Sequence, residues 1–290
     1  MRVEDAPPRQ RSPARREGTE APAVSVLMGV RDGAPWVGEA VQSVLAQTAP
    51  DLELIVVDDG SADATGDLLA AIKDSRLRIE RQAPTGLTRA LNRALRLARA
   101  PLLARLDADD LALPERLARQ QAFLAAHPEV GLLGTAAREV DRAGREIALV
   151  TPPREDRAIR RALIRENPFV HSSVVVRRAA LERVGGYDES LPVAQDYDLW
   201  MRLSRVTALA NLAEPLVIRR LVPGRVSAAR DTARIRAELR VRWRAVRAGA
   251  YPRWCLLFLV KPLAALALPT PLRVVIRRRL RTAASEPVGE

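Results

Sequence analysis

Two short apolar runs, LELIVVDDGS at Leu52–Ser61 and PLLARLDADD at Pro101–Asp110, each end abruptly in a cluster of carboxylates. A continuous run such as Leu54, Ile55, Val56 and Val57 is apolar on both faces, which suits a strand covered from both sides in a parallel sheet. In open α/β sheets, ligands collect beyond the carboxyl ends of the strands. Two acidic strand ends can therefore face one crevice. Asp107, Asp109 and Asp110 crowded onto one turn repel one another unless solvated or bridged, and a hard divalent cation with oxygen ligands is the natural bridge. Asp58 and Asp59 can accept hydrogen bonds from a base or ribose hydroxyl, while the cation neutralises a diphosphate. A site for a nucleotide-sugar type of ligand is the expectation.

The segments around these runs alternate. VSVLM at Val24–Met28 reads as strand one, followed by a loop with Gly29, Arg31 and Gly33. Val37–Gln47 reads as a helix because Val37, Ala40, Val41, Val44 and Leu45 recur at three- and four-residue spacing. Leu52–Val57 is the second strand, Asp63–Ile72 a helix, Leu77–Glu80 a short strand, Leu87–Ala98 an amphipathic helix, and Leu102–Leu106 a strand. Such alternation implies right-handed crossovers and a mainly parallel sheet. Beyond the acidic turn, Pro114 opens the helical stretch PERLARQQAFLAAH, since a first turn tolerates proline. The pattern then loosens into α+β: strands joined by a turn at Asp141–Gly144, a further strand over FVHSSVVVRR, a loop at Gly185 and Gly186, and a helix over AQDYDLWMRLSR.

With 290 residues, 48% of them hydrophobic, the chain can bury a full core, and one catalytic domain with appendages is the expected organisation. The single Cys255 excludes an internal disulfide framework and a four-cysteine zinc site. His127 and His171 form no H-E-x-x-H pair, which argues against a zinc hydrolase. The net charge of +12 is unevenly placed: residues 1–22 carry +1, residues 23–224 are neutral, and residues 225–290 carry +11. A neutral middle argues against an extended nucleic-acid track, so no specific nucleic acid is expected.

Residues 1–22 are rich in proline, arginine and glutamate without an apolar centre, and read as a disordered lead rather than a signal peptide. The catalytic domain is assigned to residues 23–224, divided near residue 130 into a nucleotide-binding half (23–130) and an acceptor half (131–224). Residues 225–290 read as a basic amphipathic helical tail. Within it, Trp254–Leu268 is apolar except for Lys261, but it is shorter than the roughly 20 residues of a spanning helix and is broken by Pro262. Aromatic side chains beside arginines suit a segment lying in the membrane interface, where anionic lipid contributes about 1 kcal/mol per basic residue. A packed pair of helices is the alternative.

The combination VSVLMGVRDGAPWVGEAVQSVLAQT, ELIVVDDGSADAT, ARLDADDLALPERL, NPFVHSSVVVRR, GGYDES and QDYDLWMRL, in this order and spacing over about Ala23–Arg220, resembles the family 2 glycosyltransferases. The resemblance implies a single α/β glycosyltransferase-A domain with a mostly parallel central sheet, and inversion at the anomeric carbon. It implies donor-nucleotide contacts from Asp59 with Asp58 beside it, from the Gly29 and Arg31 loop, and from Arg89. Asp107-Ala108-Asp109 corresponds to the family's D-x-D element, with Asp109 as the ligand of Mg²⁺ or Mn²⁺ and Asp107 a further donor-nucleotide contact through ribose or metal-bound water. Asp196 takes the place of the catalytic base, preceded here by Gln195 instead of glutamate. His171 and Gly186 are candidates for diphosphate or acceptor contacts. Gly29 replaces the family's usual proline, and Arg31-Asp32 its usual tyrosine-asparagine pair, so that wall of the pocket departs from the pattern.

Each motif also has a plainer reading. DADD can be a solvated turn, DDGS a strand-ending turn with Ser61 or Asp63 capping a helix, Asp196 a helix cap, His171 a structural histidine and Trp200 core. Six motifs in register outweigh these. The implied function is transfer of a sugar from a nucleotide-diphosphate donor, a UDP- or dTDP-sugar, to a hydroxyl on a cell-envelope glycan or lipid-linked acceptor. The basic tail implies a cytoplasmic protein, peripheral on an anionic inner membrane face. Two other classes remain: a sugar-nucleotide nucleotidyltransferase, disfavoured because GVRDGAPW lacks a lysine-bearing glycine-rich phosphate loop, and a non-catalytic protein binding nucleic acid through its tail.

Overall fold

The computed structural model describes residues 21–221 and 231–267; most of the N-terminal lead and the end of the tail lie outside them. The first half alternates as its periodicity demands. Strands β1 (Val24–Val30), β2 (Leu52–Asp58), β3 (Leu77–Arg81) and β4 (Leu102–Arg105) are separated by helices α1 (Val37–Leu45), α2 (Thr65–Ala71) and α3 (Leu87–Leu97). All four strands are parallel, in the order β3-β2-β1-β4, with Val24 opposite Leu52 on one side and Leu102 on the other. Every residue of β1 and β2 is buried. Alternation along each strand sends Val26, Met28, Leu54 and Val56 into the core beneath α1, and Leu27, Ile55 and Val57 into the core beneath α3.

The second half contains β5 (Leu111–Ala112), α4 (Arg116–Ala126), β6 (Val130–Val140), β7 (Glu146–Val150), α5 (Asp156–Leu163), β8 (Val175–Arg177), α6 (Arg178–Val184), α7 (Gln195–Leu203) and β9 (Ala208–Arg220). One sheet continues from the first half: β8 is antiparallel to β4 and to β6, β9 runs parallel to β6, and β5 closes on β9 in the antiparallel sense. The strand expected over FVHSSVVVRR is shorter. His171–Ser173 form a 3₁₀ turn and only Val175–Arg177 pair as a strand. The cause lies in the side chains, because Ser173 Oγ donates to Val170 O at 2.9 Å and accepts from Thr135 N–H at 3.0 Å, offering the backbone a turn in place of a ladder.

In the tail, α8 (Asp231–Arg247) packs on α7, where Arg242 donates to the Tyr197 hydroxyl at 3.1 Å and lies 5.7 Å from its ring centroid. A 3₁₀ segment, Arg253–Leu259, and α9 (Val260–Ala267) fold back on it. Cys255 and Leu259 are buried there, and the Arg165 guanidinium sits 4.6 Å from the Phe258 ring. The apolar stretch is divided here, as Pro262 suggested: the 3₁₀ segment ends at Leu259 and α9 begins at Val260, with Pro262 in its first turn, where no amide donor is required. Among the described residues no helix is long and apolar enough to cross a membrane.

Candidate functional site

The carboxyl ends of β1, β2 and β4 lie side by side. At the end of β2, Asp58 Oδ1 accepts from Ser61 N–H at 2.8 Å, and Oδ2 lies 3.6 Å from Arg81 Nε with no hydrogen-bond partner among the described residues. Gly60 adopts φ +72°, and a Cβ there would stand 2.7 Å from Pro84, so the turn requires glycine on both counts. Asp59 is buried and turned onto the loop before α3. Its oxygens accept from Gln82 Nε2 (2.8 Å), Thr85 N–H (2.8 Å) and Gly86 N–H (2.7 Å). Burial works to raise this carboxyl, but those hydrogen bonds prevail and hold it below the usual carboxylate range.

The loop after β1 is tied to the turn after β2. Asp32 N–H donates to Ser61 Oγ (3.0 Å), Gly33 N–H to Thr65 Oγ1 (2.8 Å) and Ala34 N–H to Asp63 Oδ2 (3.0 Å). Ser61 and Asp63 therefore serve mainly to join two loops, and Ala64 stands at the start of α2. Gly29 lets α3 approach β1, since a Cβ there would be 2.9 Å from Leu87. Arg31 is exposed beside Asp32, and Arg89 pairs with Glu189 at 3.3 Å.

At the end of β4, carboxylate oxygens of Asp107, Asp109 and Asp110 lie within 4.8 Å of one another. Asp110 is fully buried and accepts from Arg220 N–H at 3.1 Å and from Ser172, so it clamps the end of β9 beneath the turn. Asp107 lies 2.9 Å from the same Ser172 Oγ, whose one proton serves either carboxylate, and accepts from the buried guanidinium of Arg105. Asp107 and Asp109 are only partly buried. An all-carboxylate cluster of this spacing, open on one side, suits Mg²⁺ or Mn²⁺, which favour oxygen ligands.

Asp196 stands in the first turn of α7 and accepts from Asn167 Nδ2 at 2.7 Å. Burial pushes its carboxyl above the ordinary range; the Tyr197 N–H, Asn167 and the Arg105 charge oppose that rise, and Asp107 adds to it. His171 Nε2 and the Tyr187 hydroxyl are 2.9 Å apart. Burial, together with Arg105, pushes the imidazole well below its usual value, so His171 is neutral near pH 7. Burial raises the Tyr187 phenol, which stays protonated. Arg105 and Asp107 each act electrostatically on His171, Tyr187 and Asp196.

Gly186 has a packing role. A Cβ there would be 2.6 Å from Asn92 Oδ1, which accepts from Tyr187 N–H at 2.9 Å, so the glycine lets its loop close on α3 and present Tyr187 to His171. Gly185 and Gly186 border a separate cleft of about 360 Å³ whose lining includes none of the carboxylates above. Arg105, Ser172 and Asn167 were not singled out by sequence reasoning. The charged side chain inside the apolar run LLARL was the one available signal for the first, and the polar pair inside FVHSSVVV for the second.

The sequence model described as "Glycosyl transferase family 2" matches residues 25–185, more than half of the chain. "Putative glycosyltransferase EpsE" of Bacillus subtilis is 32% identical over 187 residues, covering 62% of this chain and 66% of the relative, slightly less than two thirds of that protein's length. "Amylovoran biosynthesis glycosyltransferase AmsE" of Erwinia amylovora is 32% identical over 183 residues, covering 62% of this chain and 68% of the relative. Among solved structures, Staphylococcus aureus TarS 1-349 in complex with UDP-GlcNAc superimposes with a TM-score of 0.65 at 20% identity, covering 83% of this chain and 71% of that one. Mannosyltransferase PcManGT from Pyrobaculum calidifontis, in complex with GDP-Man and Mn²⁺, gives a TM-score of 0.59 at 24% identity, covering 93% and 77%. These likenesses establish the fold, a glycosyltransferase-A type.

Proposed function

Because the chain belongs to glycosyl transferase family 2, we propose that it transfers a sugar, with inversion, from a nucleoside-diphosphate donor to a glycan hydroxyl in cell-envelope polysaccharide assembly. The observation that carries this reading is the Asp107–Asp109–Asp110 carboxylate cluster at the end of β4, with Asp107 near enough to act electrostatically on Asp196. Asp196 accepts the acceptor's hydroxyl proton as that oxygen bonds to the anomeric carbon and the bond from that carbon to the diphosphate breaks, releasing the nucleoside diphosphate. Its raised affinity for protons suits a base, and partial exposure gives a substrate access to it. Asp109, assisted by Asp107, would hold Mg²⁺ or Mn²⁺, which when bound offsets the charge of the departing diphosphate. Neutral His171, held by Tyr187, is assigned as a hydrogen-bonding group for diphosphate or acceptor.

The donor side is assigned to Asp58, Asp59, Gly29, Arg31 and Arg89, and the complexes with UDP-GlcNAc and GDP-Man of proteins sharing the fold favour a nucleotide sugar there. UDP- and dTDP-sugars remain the donors expected from the motifs. A thermal-shift panel of nucleotide sugars with and without Mn²⁺ tests this half. One donor at a hundred times its dissociation constant should stabilise the protein by about 2.7 kcal/mol. Asp109→Asn should lose the Mn²⁺-dependent part of the shift; a panel with no shift in any combination contradicts the reading.

The acceptor side favours a lipid-linked glycan at an anionic membrane on the cytoplasmic side. Trp243, Trp254, Leu257, Val260 and Leu263 of the C-terminal hairpin are each more than half exposed. They belong to a segment, residues 225–290, that carries +11. Apolar and aromatic side chains flanked by arginines bind such an interface jointly through burial and charge. Replacing Trp254, Leu257 and Val260 by serine touches only exposed positions. The intact chain should float with phosphatidylserine vesicles and the triple variant should not, with donor binding unchanged; no flotation of the intact chain, or equal flotation of both proteins, contradicts the membrane reading.

A further inference from the structure

We infer that Asn167 is a positioning residue for Asp196, its side-chain amide clamped in one orientation so that it donates to the carboxylate. The inference rests on the reading of Asp196 as the acceptor-side base and adds a residue to that site.

Asn167 lies outside α7, in the turn that follows α5, and reaches Asp196 Oδ2 with Nδ2 at 2.7 Å. Its other end is not free to exchange. Phe169 N–H donates to Asn167 Oδ1 at 3.2 Å, and an N–H can pair only with the oxygen of the amide, so the nitrogen must face Asp196. Pro168 between them stiffens the turn, and Asn211 of β9 donates to its carbonyl at 3.3 Å and to Pro153 O at 2.8 Å. Phe169 in turn packs on Trp200, with centroids 5.9 Å apart, and Trp200 stands one helical turn beyond Asp196 on α7. The segment Asn167–Phe169 thus grips the same helix twice, by a hydrogen bond at the carboxylate and by an aromatic contact one turn further on.

The groups that act electrostatically on Asp196 explain why a neutral donor serves there. Arg105 and Asp107 come from β4 and its turn with opposite charges, Tyr187 comes from the loop after α6, and the Tyr197 N–H comes from α7 itself. Another cation at position 167 would depress the basicity that proton abstraction uses, and another carboxylate would repel the charged form. An amide holds the carboxylate in place and favours its ionised form without adding net charge.

The test compares Asn167→Ala and Asn167→Asp with the unaltered protein, with Asp196→Asn as the reference. Asn167 is exposed, so both substitutions leave the core intact. The first readout is the titration of the Asp196 carboxyl carbon by ¹³C NMR in protein labelled at aspartate, assigned by its disappearance in Asp196→Asn. It needs no substrate. The midpoint should rise in both variants, by about one pH unit in Asn167→Asp, where a carboxylate replaces the donor. The second is nucleoside diphosphate release from a panel of UDP- and dTDP-sugars with Mn²⁺. There kcat should fall about ten-fold in Asn167→Ala, the donor KM should stay within about two-fold, and the acid limb of the pH profile should move upward with the NMR midpoint. An unmoved midpoint in both variants overturns the role of Asn167 whatever Asp196 does. A moved midpoint with full turnover in Asp196→Asn overturns the base assignment instead, and with it the catalytic importance of the clamp.

Discussion

Asp196→Asn is expected to slow sugar transfer by about 10²–10⁴-fold, or roughly 3–5 kcal/mol of activation free energy, while nucleotide-sugar binding is retained. The amide keeps the shape and the contact with Asn167 but cannot accept the acceptor's proton at neutral pH. Donor binding is assigned to the ends of β1, β2 and β4, whereas Asp196 belongs to α7. A fall in kcat with donor KM unchanged therefore marks loss of a transition-state role. The unaltered protein should also show kcat/KM falling as pH is lowered through the Asp196 pKa. Because burial raises that pKa, the acid limb should lie above the range of an exposed carboxylate. Asp196→Asn should flatten the limb. Turnover within about three-fold of the parent, with an unchanged profile, would sink the assignment.

Trp200→Ala is expected to destabilise the fold by about 3–5 kcal/mol, and to lower Tm by on the order of 10 °C. Trp200 is fully buried, the largest side chain with that property among the described residues, and it joins the core beneath α3. Its loss leaves a cavity that the surrounding β-sheet cannot collapse to fill. The effect reaches the site as well, because the ring stands edge-on to His171 at 5.9 Å and packs on Phe169 at the same distance. Chemical denaturation and kcat should therefore fall together, whereas Asp196→Asn should change kcat alone. A loss below about 1 kcal/mol would show that the indole is not part of the packed floor.

The first half of the fold was legible because its signals are local. The helical spacing of Val37, Ala40, Val41, Val44 and Leu45 and the unbroken apolar run of β2 report burial that each segment needs irrespective of its neighbours, and their ends fell within two residues of the expected ones. The end of β4 was legible for a different reason, since three carboxylates on one turn have few stable explanations. Less was visible beyond Val130. The strand β9 pairs with β6 through several register shifts, and its sequence ALANLAEPLVIRR includes a proline and a glutamate that interrupt any simple alternation. FVHSSVVV has strand composition, yet Ser172 and Ser173 spend their hydroxyls on Asp107, Asp110, Val170 and Thr135 and bend the chain into a turn.

By itself the sequence determined which segments must be covered on both faces and which residue types end them, since apolar periodicity and like-charge crowding act over a few neighbouring residues. Tertiary structure alone decided how those groups are used. It turned Asp59 onto Thr85 and Gly86, buried Arg105 against Asp107, made Asp110 a clamp on β9, and brought Asn167 to Asp196 across 29 positions of chain. Each of these depends on a hydrogen-bond partner far away in sequence, and a partner of that kind is chosen only when the sheet closes and a buried polar atom must be satisfied.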